Sequence, residues 1–205
     1  MFAAVLALGQ YAAVWYTMAN RHTLTAEDWI KCAFRALGAA GVQAIRAERL
    51  ARVLGVSKGS FYWHFADVPA LQAAMLAHWE AFATEQIIID ANAGGADGRG
   101  RLVRLVDIVT SELSDPYGGL AAEAALRDWA RHDPLVLVSL NRVDARRLSY
   151  VAGLFGQAGL DPPAAARAAR LYYTGLIGAE HLNASPRLDV RADLQHLLAV
   201  LLDRG

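Results

Sequence analysis

The side chains best suited to donate hydrogen bonds to a binding partner are concentrated in one short stretch, AERLARVLGVSKGSFYWHF, residues 47–65. An ammonium group, a phenol hydroxyl, an indole N–H and an imidazole nitrogen occur there close together. Phosphate oxygens of a nucleic-acid backbone accept hydrogen bonds from all four groups, and a lysine also matches a guanine edge. The groups belong to Lys58, Tyr62, Trp63 and His64.

Two helices joined by a short turn would position these donors. Apolar residues recur at helical spacing on both sides of Gly55, where glycine suits a left-handed residue that closes the first helix. Two short helices with a glycine-containing turn of this kind form the helix-turn-helix pattern. On a wheel of the second helix, Phe61 and Phe65 share one face. The opposite half carries Gly59, Ser60, Tyr62 and Trp63.

Two explanations of this aromatic outer face are open: Tyr62 and Trp63 pack against another domain, or they face DNA. Gly59 and Ser60 favour DNA, because small side chains let the helix approach a groove closely. Charge also favours DNA, since residues 21–66 hold seven basic and three acidic residues, a net charge of +4. The rest of the chain holds 13 basic and 17 acidic residues, so a formal net charge of zero hides this basic segment.

The overall composition bounds the class of protein. With 205 residues, 55% hydrophobic and 20% charged, the chain can bury a core and is not intrinsically disordered. A single cysteine, Cys32, excludes a disulfide framework and a cysteine-rich zinc site, and it fits a reducing compartment. The glycine-rich stretch of residues 92–100 lacks the lysine and the preceding strand of a phosphate-binding loop. We therefore expect no catalytic residues, no metal and no cofactor.

Helical spacing along the whole chain predicts an all-α fold. Thr25, with Asp28 three residues later, is predicted to cap the first helix, and Ser57 the third. Pro69 suits the first turn of a long fourth helix. The predicted helices span residues 25–41, 47–54, 57–65, 69–89, 101–113, 120–131, 134–156, 163–181 and 190–202.

The run LARVLGVSKGSFYWHFADVPALQAAML, from Leu50 to Leu76, resembles the helix-turn-helix signature of the tetracycline-repressor-like (TetR) family. The resemblance extends over about residues 25–80. It implies an all-α homodimer with an N-terminal three-helix DNA-binding domain, residues 21–66, and a C-terminal helical ligand-binding and dimerisation domain, residues 67–205. It also implies a cytoplasmic, ligand-responsive repressor that binds a near-palindromic double-stranded DNA operator and is released by a small molecule.

The same resemblance assigns roles within the helix-turn-helix. In the family, the residues that match Lys58, Gly59 and Ser60 lie near DNA bases or the DNA backbone. The residues that match Tyr62, Trp63 and His64 mainly hold phosphates. The sequence departs from the family pattern at two places: Val68 stands where a phosphate-contacting lysine is frequent, and Arg46 stands where a Ser or Thr cap is usual. The predicted DNA-binding residues are Arg46, Lys58, Gly59, Ser60, Tyr62, Trp63 and His64.

A small-molecule effector, partly apolar or aromatic, is the second implied partner. Ligand pockets are mostly apolar with a few polar groups, so aromatic and histidine side chains of the C-terminal domain are candidates. Aromatic residues on helices are also ordinary core residues, which leaves each candidate open. The predicted ligand-binding residues are His78, Trp79, Phe82, Trp129, Tyr150, Tyr172, Tyr173 and His181, with Phe155 as a further candidate.

Two other groups of residues carry expectations about assembly. The charged cluster near the middle of the chain is predicted to form a solvated face or an ion network at a dimer rim; it comprises Arg127, Asp128, Arg131, His132 and Asp133. Two apolar stripes are predicted to form the dimer interface. The first includes Leu171, Tyr172, Gly175 and Gly178 within and beside residues 164–177, and the second includes Leu194, Leu197, Leu198, Leu201 and Leu202.

Residues 1–20 contain no charge. Three interpretations are open: an extension that is dispensable because translation starts at Met18, a helix packed on the body, or a membrane anchor. A membrane-tethered regulator would depend on residues 1–18, although we expect no membrane association. A further alternative is an all-α small-molecule-binding enzyme that uses Glu180 and His181, a pair also considered as metal ligands.

Overall fold

The structure is a computed structural model, and it describes residues 24–93, 97–111, 117–182 and 189–203. These ranges hold ten α-helices and no strand, which confirms the predicted all-α class. None of the helices in them has the length and apolar character needed to cross a membrane. The uncharged segment of residues 1–20 lies outside the described residues. The helices are α1 (Ala26–Ala40), α2 (Ala47–Val53), α3 (Lys58–Phe61), α4 (Val68–Glu80), α5 (Ile87–Asn92), α6 (Gly98–Val109), α7 (Gly119–Ala130), α8 (Pro134–Gln157), α9 (Pro162–Leu182) and α10 (Val190–Asp203).

The third helix is shorter than predicted. It ends at Phe61, and the chain continues to Phe65 through turns in which N–H groups bond three residues back, such as Tyr62 N to Gly59 O at 3.2 Å. Ser57 occupies the predicted N-cap position, but its side chain makes no capping hydrogen bond in this described segment. The other predicted bounds agree with the structure to about one helical turn.

The first helix begins and ends where the sequence predicts. The Thr25 hydroxyl accepts a hydrogen bond from the Asp28 N–H at 3.2 Å, and the Asp28 carboxylate accepts one from the Thr25 N–H at 2.8 Å. These reciprocal bonds satisfy donors that would otherwise be free in the first turn. At the other end, Gly41 has φ +72°, a conformation that favours glycine, and its N–H donates to the Leu37 carbonyl.

A first hydrophobic core joins the helix-turn-helix to the rest of the molecule. The Trp29 ring of α1 meets the Phe61 ring edge-on at 5.3 Å, and Leu50, Leu71 and Met75 close the core from α2 and α4. The same core continues into α7 and α8. It therefore crosses the predicted domain boundary between residues 66 and 67, and its α7 and α8 members include Leu126, Trp129, Val136, Leu140 and Val143.

Close backbone contact between α1 and α7 reinforces this connection. A Cβ atom at Gly38 would lie 3.0 Å from the Ala122 backbone nitrogen, so only glycine permits this approach without a shift. Gly118, just before α7, likewise lies close to the Phe34 carbonyl oxygen. The helix-turn-helix is thus attached to the larger helical body through α1 as well as through α4.

A second core fills the space between α6, α8, α9 and α10. Tyr172 and Phe155 are fully buried at its centre, with their ring centroids 6.4 Å apart. Helix α6 begins tightly against the end of α8, since a Cβ at Gly98 would lie 2.5 Å from the Leu154 carbonyl oxygen. The other members of this core include Leu102, Val106, Leu154, Ala169 and Leu194.

Helices α4 and α5 are joined by a π-helical turn, residues Ala81–Gln86, without a break in the helical path. A π turn is wider than an α turn and frequently marks a functional site. Thr84, in the middle of the turn, is buried although it is polar. Ala83, Thr84 and Gln86 of this turn line a cavity.

The predicted dimer stripes are partly wrong. Tyr172, Leu194 and Leu198 are buried in the second core of their own chain and do not face outward. Gly175 packs against Leu197 within the same chain, where a Cβ would approach the leucine methyl to 2.9 Å. Helical spacing identified apolar faces correctly, but it could not tell a face that covers the chain's own core from one available to a partner.

The close contact at Gly98 predicts a stability difference between two glycine substitutions. Gly98→Ala places a methyl group against backbone and should lower the free energy of unfolding by about 1–3 kcal/mol. Gly153→Ala, on the helix α8 that Gly98 contacts, meets no described atom within 4 Å and should raise it by about 0.5–1 kcal/mol. Urea unfolding at fixed protein concentration measures both, and equal effects would contradict this packing.

Candidate nucleic-acid interface and ligand cavity

The helix-turn-helix presents the predicted aromatic face to solvent. The side chain of Trp63 is 87% exposed and that of Tyr62 is 53% exposed, whereas Phe61 and Phe65 are buried. We call the outward surface of α3 and its following turn the recognition surface. It comprises Lys58, Gly59, Tyr62 and Trp63, all exposed, with Ser60 and His64 partly buried at its edge.

Buried aromatic residues hold this surface in place. Phe61 is clamped between Trp29 and Phe65, with ring centroids 5.3 and 5.8 Å away. Tyr62 stands edge-on to Phe61 at 5.3 Å, so one face of the short helix is fixed while the other is open. Gly55 has φ +70°, as the turn requires. A recognition element of only four helical residues is therefore rigid because of its aromatic neighbours.

Lys58 forms an ion pair with Glu48 of α2. The Glu48 carboxylate raises the pKa of Lys58, with a smaller contribution from Tyr62, whose ring centroid lies 6.0 Å from the ammonium nitrogen. Glu48 was missed in the sequence, although it is the sole acidic residue between Arg35 and Ala66. It lies where it competes with a phosphate or a base for the lysine.

Two predicted features flank this surface. Arg46 is exposed and precedes α2 without a side-chain capping bond, as its identity suggested. Val68 is partly buried against the first core, so it supplies packing at the position where the family often has a lysine. Asp67 caps the start of α4, because its carboxylate accepts a hydrogen bond from the Ala70 N–H at 2.7 Å.

A cavity of about 650 Å³ lies in the larger helical body, between α1, the α4–α5 segment, and α6 to α9. Its size lies within the range of small-molecule sites. Six of the eight predicted ligand-binding residues line it: His78, Trp79, Phe82, Tyr150, Tyr172 and Tyr173.

Trp129, His181 and Phe155 do not line the cavity. Trp129 lies on the side of α7 that faces the first core, and its indole N–H donates to Asp133 at 3.2 Å. His181 is exposed near the end of α9, with its Nδ1 2.9 Å from the Ile177 carbonyl oxygen. The side chain of Glu180 lies outside what the structure describes. Their aromatic character did not distinguish these residues from the ones that line the cavity, because the tertiary structure decides which side of each helix meets the cavity.

Several lining residues were not anticipated from the sequence. Most of the apolar ones are aliphatic and had no distinguishing signal: they include Ile87, Leu105, Ile108 and Leu120, whereas Phe34 of α1 is aromatic. Tyr117 also lines the cavity, as do the charged residues Asp90, Arg104, Asp107, Glu123 and Arg147.

Glu123 and Arg147 belong to a buried network of two carboxylates and two guanidinium groups. Arg147 donates to the Glu123 carboxylate at 2.9 Å, and Arg127 bridges Glu123 at 3.2 Å and Asp144 at 2.9 Å. The Tyr173 hydroxyl donates to Asp144 at 2.6 Å and accepts from both arginines. We call Glu123, Arg127, Asp144, Arg147 and Tyr173 the buried ion network.

This network corrects the expectation for the charged cluster around Arg127. Asp128, Arg131 and His132 are exposed as predicted, but the Arg127 side chain is largely buried. Burial alone would raise the pKa of Glu123, yet Arg147 and Arg127 hold that pKa below its ordinary value. The four ionised groups therefore balance one another inside the protein.

Arg147 also stabilises the π turn. Its guanidinium donates to the Ala83 carbonyl oxygen at 3.0 Å and to the Thr84 hydroxyl at 3.2 Å. Its charge lies 5.3 Å from the centroid of the Trp79 ring, whose N–H donates to Glu123 at 2.8 Å. The network thus fixes the cavity wall formed by α4 and the π turn.

An aromatic cluster extends from the cavity to α1. The His78 ring stacks on Phe82 with centroids 4.2 Å apart, and Tyr117 lies 4.5 Å from His78. The Tyr117 hydroxyl donates to the Glu27 carboxylate of α1 at 2.8 Å, and Lys31 pairs with Glu27 at 2.7 Å. A residue that lines the cavity is therefore hydrogen-bonded directly to α1, the helix that packs against the helix-turn-helix through Trp29.

Two polar atoms in the cavity wall have no hydrogen-bond partner among the described residues: the Tyr172 hydroxyl oxygen and His78 Nε2. Burial raises the pKa of Tyr172 and lowers that of His78, so both groups are neutral at neutral pH. Buried polar atoms are normally hydrogen-bonded, so an unpartnered pair in one cavity wall marks places where a ligand can bind. No cluster of three potential metal-ligating side chains is found within the described ranges.

The buried ion network predicts unequal effects for two adjacent arginines. Arg147→Met leaves Glu123 without its main partner and should lower the free energy of unfolding by about 3–5 kcal/mol. Arg146→Met breaks only the exposed pair with Glu85 and should change it by less than about 1 kcal/mol. Urea unfolding at one protein concentration compares the two. An Arg147→Met variant as stable as Arg146→Met would contradict the assignment.

The comparisons with known proteins agree with this architecture. Residues 30–75, from α1 into α4, match the family model of bacterial regulatory proteins, tetR family. No curated protein sequence matches the chain.

Solved structures resemble almost the whole chain. A protein assigned as a TetR-family transcriptional regulator, from Rhodococcus sp., has a TM-score of 0.69 at 23% identity, covering 86% of this chain and 98% of its own. A protein assigned as a transcriptional regulator, from Saccharomonospora viridis and in complex with choline, has a TM-score of 0.67 at 18% identity, covering 87% and 93%. The regulator FadR from Bacillus subtilis, in complex with stearoyl-CoA, has a TM-score of 0.65 at 14% identity, covering 85% and 96%.

The helix-turn-helix segment matches the family model, and the described helices as a whole have the fold of these regulators. Residues 30–75 therefore resemble the tetR family of bacterial regulatory proteins, and the likeness of the described chain as a whole to the solved structures is a likeness of fold.

Proposed function

We propose that the protein is a ligand-responsive transcriptional repressor that binds a DNA operator through its recognition surface and is released by a small molecule in the cavity. The observation that carries the proposal is the solvent-exposed pair Tyr62 and Trp63 beside Lys58, on a helix-turn-helix of this family. Large aromatic side chains with polar donors are seldom left so exposed without a partner. Because its target is DNA, we place its action in the cytoplasm.

The protein acts as a homodimer in this proposal. Two recognition surfaces about 34–36 Å apart reach successive major grooves, so the operator is near-palindromic. The outer side of α9 supports an interface there: Leu171 is 52% exposed, and Thr174 and Gly178 follow on the same side. Phosphate contacts supply most of the affinity, and contacts with base edges select the site.

The effector binds in the cavity and changes the position of the recognition surface. Choline and stearoyl-CoA are bound by two proteins with this fold, which supports a ligand site in a protein of the same architecture. Tyr117 lines the cavity and is bonded to Glu27 of α1, so a ligand that moves Tyr117 acts on the helix-turn-helix through α1, whose Trp29 contacts Phe61. It releases DNA only to the extent that it binds the non-DNA-binding conformation more tightly.

Selection of bound sequences from a random DNA pool provides the operator, and variants then test the recognition surface. The double variant Tyr62→Ala with Trp63→Ala should reduce operator affinity by about 100-fold or more, because each hydrogen bond to a charged phosphate contributes about 1.5–3 kcal/mol. Ser60→Trp should act similarly by blocking close approach to the groove. Ile89→Ala, which removes an exposed apolar side chain on the distant α5, is the control and should bind normally.

Circular dichroism and sedimentation establish that these variants retain helicity and oligomeric state. The logarithm of the operator affinity, measured by gel shift, should fall linearly with the logarithm of the salt concentration. The slope is set by the number of phosphates that the protein neutralises. Wild-type affinity in the Tyr62→Ala, Trp63→Ala variant, or a flat salt response, would count against the proposed DNA-binding surface.

The ion pair between Glu48 and Lys58 gives a prediction in the opposite direction. Glu48→Gln removes a negative charge next to DNA and frees Lys58, so operator affinity should rise by about two- to fivefold. Glu85→Gln is the matched control, since Glu85 is also exposed and paired with a basic residue, Arg146, but lies on the π turn. Fluorescence anisotropy with labelled operator measures both. A fall in affinity for Glu48→Gln would assign Glu48 a direct contact with a base instead.

A further inference from the structure

Building on the proposed function, we infer that the effector is an uncharged aromatic molecule whose hydrogen-bond acceptor, such as a carbonyl oxygen, binds the Tyr172 hydroxyl. Three properties of the cavity support this class: its most buried charges, Glu123 and Arg147, are already paired, one deeply buried donor is unused, and its wall carries a group of aromatic rings.

The charged groups of the cavity wall are satisfied by the protein itself. Among the described residues, Asp107 forms an ion pair with Arg191 at 2.6 Å. Asp90 and Arg104 are hydrogen-bonded to neutral groups: Asp90 accepts from the Gln86 amide at 2.9 Å, and Arg104 donates to the Asp90 backbone carbonyl oxygen at 2.7 Å. Glu123 and Arg147 neutralise each other within the buried ion network.

A charged ligand held against the buried part of the wall, at Glu123 and Arg147, would therefore meet no unpaired counter-charge there. It would lose its own hydration, and it would gain an ionic partner at that place only by breaking a pair that the fold depends on. A neutral ligand avoids both costs. The buried part of the wall thus selects against anions and cations alike.

The unused donor is the Tyr172 hydroxyl. The residue is only 1% exposed, and its oxygen has no hydrogen-bond partner among the described residues. The neighbouring Tyr173 is a contrast, because its hydroxyl bonds Asp144, Arg127 and Arg147. Of the two adjacent tyrosines, one completes the ion network and the other is left for a ligand.

Protonation favours the same assignment. Burial raises the pKa of Tyr172, so its hydroxyl keeps its proton and donates to an acceptor. His78 offers a second neutral polar atom, Nε2, in the same wall. A buried hydroxyl donor gains a hydrogen bond from a ligand with a carbonyl oxygen, and it gains none from a hydrocarbon of the same shape.

The aromatic rings indicate the rest of the ligand. The His78, Phe82 and Tyr117 rings form a stacked group with centroid distances between 4.2 and 5.7 Å. Phe82 is half-exposed although it lines the cavity, so part of its surface is available to another ring. Flat aromatic molecules pack on such groups by offset or edge contacts.

Four naphthalene probes that differ only in a three-atom substituent test the proposal on the full-length protein. They are 2-acetylnaphthalene with a carbonyl acceptor, 2-isopropylnaphthalene without one, the anion 2-naphthoate and the cation 2-naphthamidinium. Binding is followed by the fluorescence of the tryptophans, one of which, Trp79, lines the cavity. We expect 2-acetylnaphthalene to bind at least about tenfold more tightly than either charged probe.

Tyr172→Phe tests the hydrogen bond. Since it removes a hydroxyl that has no partner in the described structure, the variant should fold with undiminished stability. It should lose about tenfold in affinity for 2-acetylnaphthalene and none for 2-isopropylnaphthalene. Tyr150→Phe is the control. Tyr150 also lines the cavity, but its hydroxyl is already bonded to Asn92 at 3.0 Å, so the variant should bind both neutral probes as the wild type does.

Three results would overturn the inference: equal or tighter binding of a charged probe, unchanged binding of 2-acetylnaphthalene by Tyr172→Phe, or no binding of any of the four probes. Release of operator DNA is measured separately. If 2-acetylnaphthalene binds as expected but leaves the operator complex intact, the ligand class stands and the proposed effector response fails. If the probes do not bind but the operator is still recognised, the ligand class fails and DNA binding stands.

Discussion

The buried pair of Glu123 and Arg147 is the interaction on which the cavity depends. It connects α7 to α8 directly, and Arg147 extends the connection to the π turn through the Ala83 carbonyl and the Thr84 hydroxyl. A π turn disturbs the regular α-helical bonding pattern, so an arginine that bonds one of its carbonyl groups compensates for that disturbance. Because removing one partner of such a pair leaves a buried charge, the arrangement is strongly constrained even though the intact pair adds little net stability.

That constraint also determines what the cavity can accept. The ion network uses Tyr173 and leaves Tyr172 unbonded among the described residues, so two adjacent tyrosines of α9 have different roles. The wall keeps its most buried charges, Glu123 and Arg147, paired and presents rings and one neutral donor to the interior. Ligand selectivity in this protein then follows from the same side chains that hold α4, α7, α8 and α9 together.

In the proposed function, the cavity and the recognition surface are connected by a short physical path. Helix α1 packs against the helix-turn-helix, and it also packs on α7 at Gly38 and receives a hydrogen bond from Tyr117 of the cavity wall. Its Trp29 contacts Phe61, which holds the recognition surface. Since the first core is continuous across both parts of the molecule, a rearrangement at Tyr117 and His78 is transmitted through packed side chains without requiring a long-range mechanism.

The sequence by itself determined the helices, their order and the outward aromatic face of the recognition surface. Those features depend on local spacing: Thr25 and Asp28 cap α1 within one turn, and Phe61 with Phe65 separates a buried face from an exposed one. The family resemblance rested on the same short stretch. Local rules also placed Ser57 at the N-cap of α3, although its side chain makes no capping bond, and α3 ended four residues early where the backbone turns to hydrogen bonds mostly three residues back.

Only the tertiary structure decided which residues meet. Glu123, Asp144 and Arg147 are up to 24 residues apart and looked like ordinary charges on helices, while Arg127 looked solvated. Their pairing arises because α7, α8 and α9 bring their inner faces together, which no single helix encodes. In the same way, Trp129 and Tyr172 were equivalent candidates in the sequence, and the side of the helix on which each lies assigned one to the core and the other to the cavity wall.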